Sequence, residues 1–189
     1  MVNKNDTVIL AAGFSSRMGA FKPLLPFGNS TIIETVIETV LAVSGRVIVV
    51  VGFRSAKIVK LKKWDERVVF AENRLFEKGM FSSVKVGAVQ VQTPRFFIAL
   101  GDQPQIPPEV YRKLIDAEPA DVVQPSFEGK AGHPILVSEK VRQAILAANE
   151  DDPSIHLKTI LDQFQKRFAA VDSEGILVDL DTPEDYGVH

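Results

Sequence analysis

Strand-like apolar runs alternate with helix-like segments along the whole chain, and this alternation most restricts how it can fold. Residues 8–10, 46–51, 68–70, 96–100, 122–124 and 135–137 are short apolar runs bounded by polar or glycine-bearing segments, as buried strands are. Between them, residues 31–43 place Ile32, Ile33, Val36, Ile37, Val40 and Leu41 on one helical stripe, with Glu34 and Glu38 opposite. Thr31 and Glu34 have capping-box spacing and mark where that helix starts. Further helices are predicted over 55–64, a basic stretch, and over 80–91, 108–117, 139–148 and 154–164. Residues 127–134 read as a loop, and 168–171 and 177–180 as two more short strands. Thr182-Pro183-Glu184-Asp185 supplies an N-cap, a proline and two acids, which predicts a last helix start. No repeat or linker interrupts the pattern, and 189 residues suit one well-buried domain, 1–189. The expected fold is a three-layer α/β/α sandwich on a mainly parallel, Rossmann-like sheet.

Composition removes several classes of function. A net charge of −2 argues against nucleic-acid or anionic-membrane binding, which needs clustered basic charge. No apolar run approaches the ~20 residues of a membrane span, and the first residues lack the apolar core of a signal peptide. Without cysteine there is no disulfide, thiolate metal site or thiol nucleophile. The expected location is the cytoplasm.

The segment that carries chemistry is LAAGFSSRMGAFKPLLP, residues 10–26. Its small residues let backbone pass close to a ligand. Backbone N–H groups with Ser15, Ser16, Arg17 and Lys22 suit a polyphosphate at the carboxyl edge of a parallel sheet. Two exposed cations on a surface turn would give the same residues without a ligand. The loop is not a Walker loop, because Pro23 follows Lys22 where a hydroxyl is needed. Nor is it the nicotinamide-dinucleotide fingerprint, since it has Gly13 and Gly19 but no third glycine, and Pro23 and Pro26 prevent a regular helix there. Met18 reads as packing.

Asp102 follows the apolar run 96–100 and precedes Gln103-Pro104, which places it at the same sheet edge. A carboxylate there suits Mg²⁺, or equally caps the next turn. Asp179 and Asp181 share one face of the strand predicted over 177–180, so both could approach a metal at Asp102. Ser82 and Ser83 at a helix start can bond a base edge or phosphate, or simply cap that helix.

Residues 10–26 resemble the signature Leu-Ala-Ala-Gly-x-Ser-x-Arg-Met-Gly-x-x-Lys of the MobA-like nucleotidyltransferases, and Lys-x-Leu-Leu-Pro looks most like their molybdenum-cofactor cytidylyltransferase branch. The resemblance implies a fold of the nucleotide-diphospho-sugar transferase type. It implies a nucleotide site of Leu10, Ala11, Ala12, Gly13, Ser15, Ser16, Arg17, Gly19, Lys22, Asn73, Gly79, Ser82 and Ser83. It casts Arg17, Lys22 and Asp102 as catalytic, with Mg²⁺ held by Asp102, Asp179 and Asp181, and puts Gly132 and His133 over the acceptor. The implied reaction passes CMP from CTP to the molybdopterin-bound molybdenum cofactor, releasing pyrophosphate, with a molybdoenzyme or its chaperone downstream. An ionised phosphate acceptor needs no general base. Another nucleotide, a sugar-1-phosphate or another phosphomonoester would keep the chemistry and change a substrate. A non-catalytic cofactor carrier is opposed by the intact Arg17, Lys22 and Asp102. In one place the chain departs from the family pattern: residues 151–156 stand where many relatives have Gly-Asp-x-Gly-Ala-Arg, and Lys158 is the nearest substitute cation.

Overall fold

The computed structural model describes residues 5–14 and 20–180. The strands are β1 (Asp6–Ala11), β2 (Pro26–Phe27), β3 (Ser30–Thr31), β4 (Arg46–Val51), β5 (Val68–Glu72), β6 (Arg95–Leu100), β7 (Val122–Phe127), β8 (Lys130–Ala131), β9 (Ile135–Ser138) and β10 (Lys166–Ala170). The helices are α1 (Ile32–Leu41), α2 (Ser55–Val59), α3 (Met80–Gln90), α4 (Pro108–Asp116), α5 (Glu139–Ala147) and α6 (Leu157–Leu161). Among the described residues the main sheet has eight strands in the order β10-β7-β9-β6-β1-β4-β5, with β8 attached to β7. It is mainly parallel, as expected. β9 lies antiparallel between β6 and β7.

Alternation along each central strand divides the core into two faces. Ile9, Val47, Val49, Val51, Phe97 and Ala99 pack under α1, α2 and α4. Val8, Ile48, Val50, Phe96 and Ile98 pack under α3, α5 and α6. Burial on both faces is why these strands read as continuous apolar runs.

Helix α1 begins where its capping box stands. Thr31 Oγ1 accepts the Glu34 N–H at 3.4 Å, and Glu34 Oε2 accepts the Thr31 N–H at 3.1 Å. We expect Thr31→Ala to lower unfolding free energy by about 1 kcal/mol, read from urea titration. The Thr31 hydroxyl, and then Lys62, hold the Glu34 carboxyl below its ordinary 4.5. A carboxyl with a lowered folded pKa stabilises the fold above its unfolded value and loses that contribution as pH falls through the folded one. The deficit of the variant therefore narrows as pH drops below 4.5.

Four sequence expectations need correction. The basic helix over 55–64 stops at Val59. Lys57, Lys60 and Lys63 repel one another at i,i+3 spacings, Lys62 pairs with Glu34 and Glu38 of α1, and the Trp64 indole N–H donates to the Ile58 carbonyl. The helix over 154–164 shortens to Leu157–Leu161, because Asp152 accepts the Ser154 N–H and Thr159 Oγ1 accepts the His156 N–H in local turns. Within 127–134, β7 runs on to Phe127 and turns through Glu128 and Gly129, both at positive φ, into β8. The strand over 177–180 does not form: Glu174–Leu177 is a single 3-10 turn, and Val178 to Leu180 pair with no strand. The helix start at 182–185 lies outside the described residues.

Candidate functional site

The carboxyl ends of β1, β4 and β6 meet at one sheet edge, with Ala11 opposite Val51 and Leu10 opposite Leu100. Gly101 permits this convergence: its N–H donates to the Leu10 carbonyl at 2.9 Å, and a Cβ there would meet the same oxygen at 2.9 Å. A cavity of about 480 Å³ opens at this edge, within the range of small-molecule sites. Its walls are Leu10 to Phe14, Lys22 and Pro23, Phe76, Glu77, Gly79, Met80 and Ser83, Leu100 to Asp102, and Asp179.

Lys22 opens a 3-10 turn, Lys22–Leu24, whose Leu25 N–H donates back to the Lys22 carbonyl. Pro23 and the buried Phe21 fix this turn, and the Lys22 side chain is only 10% exposed. Its Nζ donates to Asp102 Oδ2 at 2.9 Å. The two residues stand 80 apart in sequence, and no local pattern signals that they pair.

The segment between β5 and α3 is tied by Asn73, itself 2% exposed. Its Nδ2 donates to the Ser82 and Ser83 hydroxyls, each at 2.9 Å, and its Oδ1 accepts the Leu75 N–H at 2.9 Å. Ser82 Oγ donates to the Gly79 carbonyl at 2.8 Å. Asn73 and Ser82 thus shape the wall from behind. Gly79, at φ 97, and Ser83 reach the cavity.

Asp179 joins the same wall by a route other than a strand. Its Oδ1 accepts a hydrogen bond from Gln103 Nε2 at 2.8 Å, and the Leu180 N–H reaches the Asp102 carbonyl at 3.4 Å. Two carboxylates, Asp102 and Asp179, therefore border one cavity. This oxygen donor set suits a hard divalent cation that keeps part of its water. Among the described residues no group of three acids or histidines is gathered for a metal. Arg17, Ser15, Ser16, Gly19 and Asp181 lie outside the described residues.

Gly132 and His133 sit further along the sheet edge, outside the cavity lining, and the His133 N–H donates to the Ile176 carbonyl at 3.3 Å. Burial pushes the His133 imidazole down to about 4, against the opposite pull of Asp102, so it is neutral at pH 7. Lys158 is exposed on α6 and does not line the cavity. Asp151, in the departing segment, instead holds Lys78 at 2.6 Å.

The aromatic wall is absent from the sequence expectations. Phe14, 45% exposed, packs on Phe53 and Phe76 with ring centroids 5.3 and 5.0 Å apart. Phe14 and Phe53 each directly follow a glycine, but Phe76 follows Leu75, and the three rings share no period that would announce a common wall.

The sequence profile of the MobA-like NTP transferase domain matches residues 7–168. A molybdenum cofactor cytidylyltransferase of Escherichia coli (strain K12) is 31% identical over 182 residues, covering 96% of this chain and 93% of its own. A probable molybdenum cofactor guanylyltransferase of Methanosarcina mazei is 29% identical over 153 residues, 77% of this chain and 68% of its own. The crystal structure of Rv0371c from Mycobacterium tuberculosis H37Rv superposes with a TM-score of 0.83 at 26% identity, covering 98% of this chain and 97% of that one. A manganese complex of Rv0371c superposes with a TM-score of 0.76 at 25% identity and the same coverage.

Proposed function

The chain belongs to the MobA-like NTP transferase family and is a nucleotidyltransferase, and we propose that it transfers CMP from CTP to the molybdopterin-bound molybdenum cofactor, releasing pyrophosphate. The observation that carries this reading is the buried Lys22 beside Asp102 in the wall of a strand-edge cavity. The E. coli relative, a molybdenum cofactor cytidylyltransferase, supports the choice of substrates.

In this reading the backbone of Leu10 to Gly13 passes along the nucleotide, and Phe14, Phe76 and Met80 take base and ribose on their apolar faces. Lys22, with Arg17 from the same loop, stabilises charge developing on the phosphates. Asp102 and Asp179, with Asp181, would hold Mg²⁺. When bound, that ion neutralises phosphate charge and orients the triphosphate. The manganese complex of the Rv0371c protein supports a divalent ion in this fold. The acceptor approaches from the side of Gly132 and His133. Its phosphate is already largely ionised at neutral pH, so its attack needs no general base. Catalysis is then positioning and charge stabilisation. Among the described residues no helix is long and apolar enough to cross a membrane. We assign the enzyme to the cytoplasm, with its product passing to a molybdoenzyme or its chaperone.

Thermal stabilisation by CTP, GTP, ATP and UTP, each with and without Mg²⁺, tests the assignment. A nucleotide at a hundred times its dissociation constant adds about 2.7 kcal/mol. We expect a Mg²⁺-dependent shift in Tm with CTP. A shift confined to GTP would move the reading to guanylyl transfer, which the Methanosarcina mazei relative favours.

A further inference from the structure

We propose that Gln103 is a positioning residue that sets the carboxylate of Asp179 beside Asp102, so that metal affinity depends on a side chain that touches neither metal nor nucleotide. The inference rests on the reading of Asp102 and Asp179 as metal-holding groups. Gln103 is 4% exposed and stays behind the cavity lining. Its Nε2 donates to Asp179 Oδ1 at 2.8 Å and also reaches the Ile176 carbonyl at 3.5 Å.

These contacts matter because Asp179 lies on no regular element. Residues 178–180 belong to neither strand nor helix, so no sheet ladder dictates where that carboxylate points. The segment is docked at separate points: the Leu180 N–H on the Asp102 carbonyl, the His133 N–H on the Ile176 carbonyl, and Gly175 against the Gln105 backbone. The Gln103 amide bonds the Asp179 side chain itself. Because Gln103 follows Asp102 directly, one short loop holds one carboxylate covalently and aims the other through an amide.

Packing alone does not explain a glutamine here. Its Oε1 is buried with no hydrogen-bond partner among the described residues. A buried unpaired acceptor is costly, and an apolar side chain of similar shape would avoid that cost. A donor aimed at a metal-holding carboxylate does explain it, since partners behind the ligands typically change metal affinity by 10- to 100-fold.

The test is Mn²⁺ binding to the full chain, followed by the electron paramagnetic resonance of free Mn²⁺. Wild type is compared with Gln103→Met, Gln103→Asn and Asp179→Asn, and melting temperatures are measured alongside. Methionine keeps the volume and removes the donor. Asparagine keeps the amide and withdraws it by one methylene. We expect both Gln103 variants to weaken Mn²⁺ binding about tenfold, with the melting temperature of Gln103→Met unchanged or raised. The Mg²⁺ concentration for half-maximal activity should rise in parallel, while kcat at saturating Mg²⁺ recovers. Wild-type Mn²⁺ affinity in both Gln103 variants, with Asp179→Asn weakened, overturns the positioning role and leaves the metal reading standing. Unchanged affinity in Asp179→Asn as well removes the metal reading, and this inference with it.

Discussion

Replacing Lys22 by alanine is expected to cut the rate of pyrophosphate release about 10³-fold while the protein stays folded, a loss typical of a donor aimed at transition-state charge. The Lys22 side chain is 10% exposed and set on a turn that carries Pro23, so its ammonium is held in place at the cavity wall. Lys22→Arg should not rescue the rate, because a planar fork cannot occupy the space of a compact ammonium. Asp102→Ala should likewise abolish release. Circular dichroism melting separates both outcomes from misfolding: in Lys22→Ala the Asp102 side chain, 30% exposed, keeps a carboxylate that water can still reach. Turnover at the wild-type rate in either variant would remove the mechanism.

Gly132→Ala is expected to lower unfolding free energy by about 3 kcal/mol, near the upper end of overpacking penalties, and to depress activity with it. A Cβ at Gly132 would lie 2.1 Å from the Ile176 carbonyl oxygen and 2.8 Å from its carbon. Both atoms are backbone, so no rotamer change relieves the clash, and the 3-10 turn Glu174–Leu177 must move away from β7 and β8. Asp179, two residues beyond that turn, moves with it. Urea unfolding and a pyrophosphate assay on the same preparation test both halves. Wild-type stability in this variant would show that the turn is not seated as described.

What could be read from the chain follows from where the physics is local. The central strands were legible because Val47, Ile48, Val49 and Val50 are fully buried, leaving no polar alternation to confuse the run. The start of α1 was legible because Thr31 and Glu34 complete their hydrogen bonds within four residues. The placing of Lys22, Asp102 and Gly13 at one sheet edge followed from strand order. The Lys22–Asp102 pair and the Gln103–Asp179 bond were not legible, since they join residues 80 and 76 apart through the tertiary fold. Apolar spacing at 177–180 suggested a strand, but the Ile176 carbonyl accepts from His133 and Gly175 seats on Gln105, so the segment docks through turns. Asn73 carried a family signature for the nucleotide site, and its amide is spent on Ser82, Ser83 and Leu75.

If Lys22 meets phosphate and Asp102 meets metal as proposed, the contact between them makes the site a partner exchange. A phosphate drawn to the ammonium must compete with the carboxylate, and a dication drawn to the carboxylate must compete with the ammonium. Each ligand therefore frees the group that the other needs, and by reciprocity each tightens the other by the same factor. Triphosphate without metal and metal without triphosphate both bind against an internal rival, so recognition favours the neutralised pair arriving together. On that proposal, a single 2.9 Å contact asks whether the nucleotide brings its counterion.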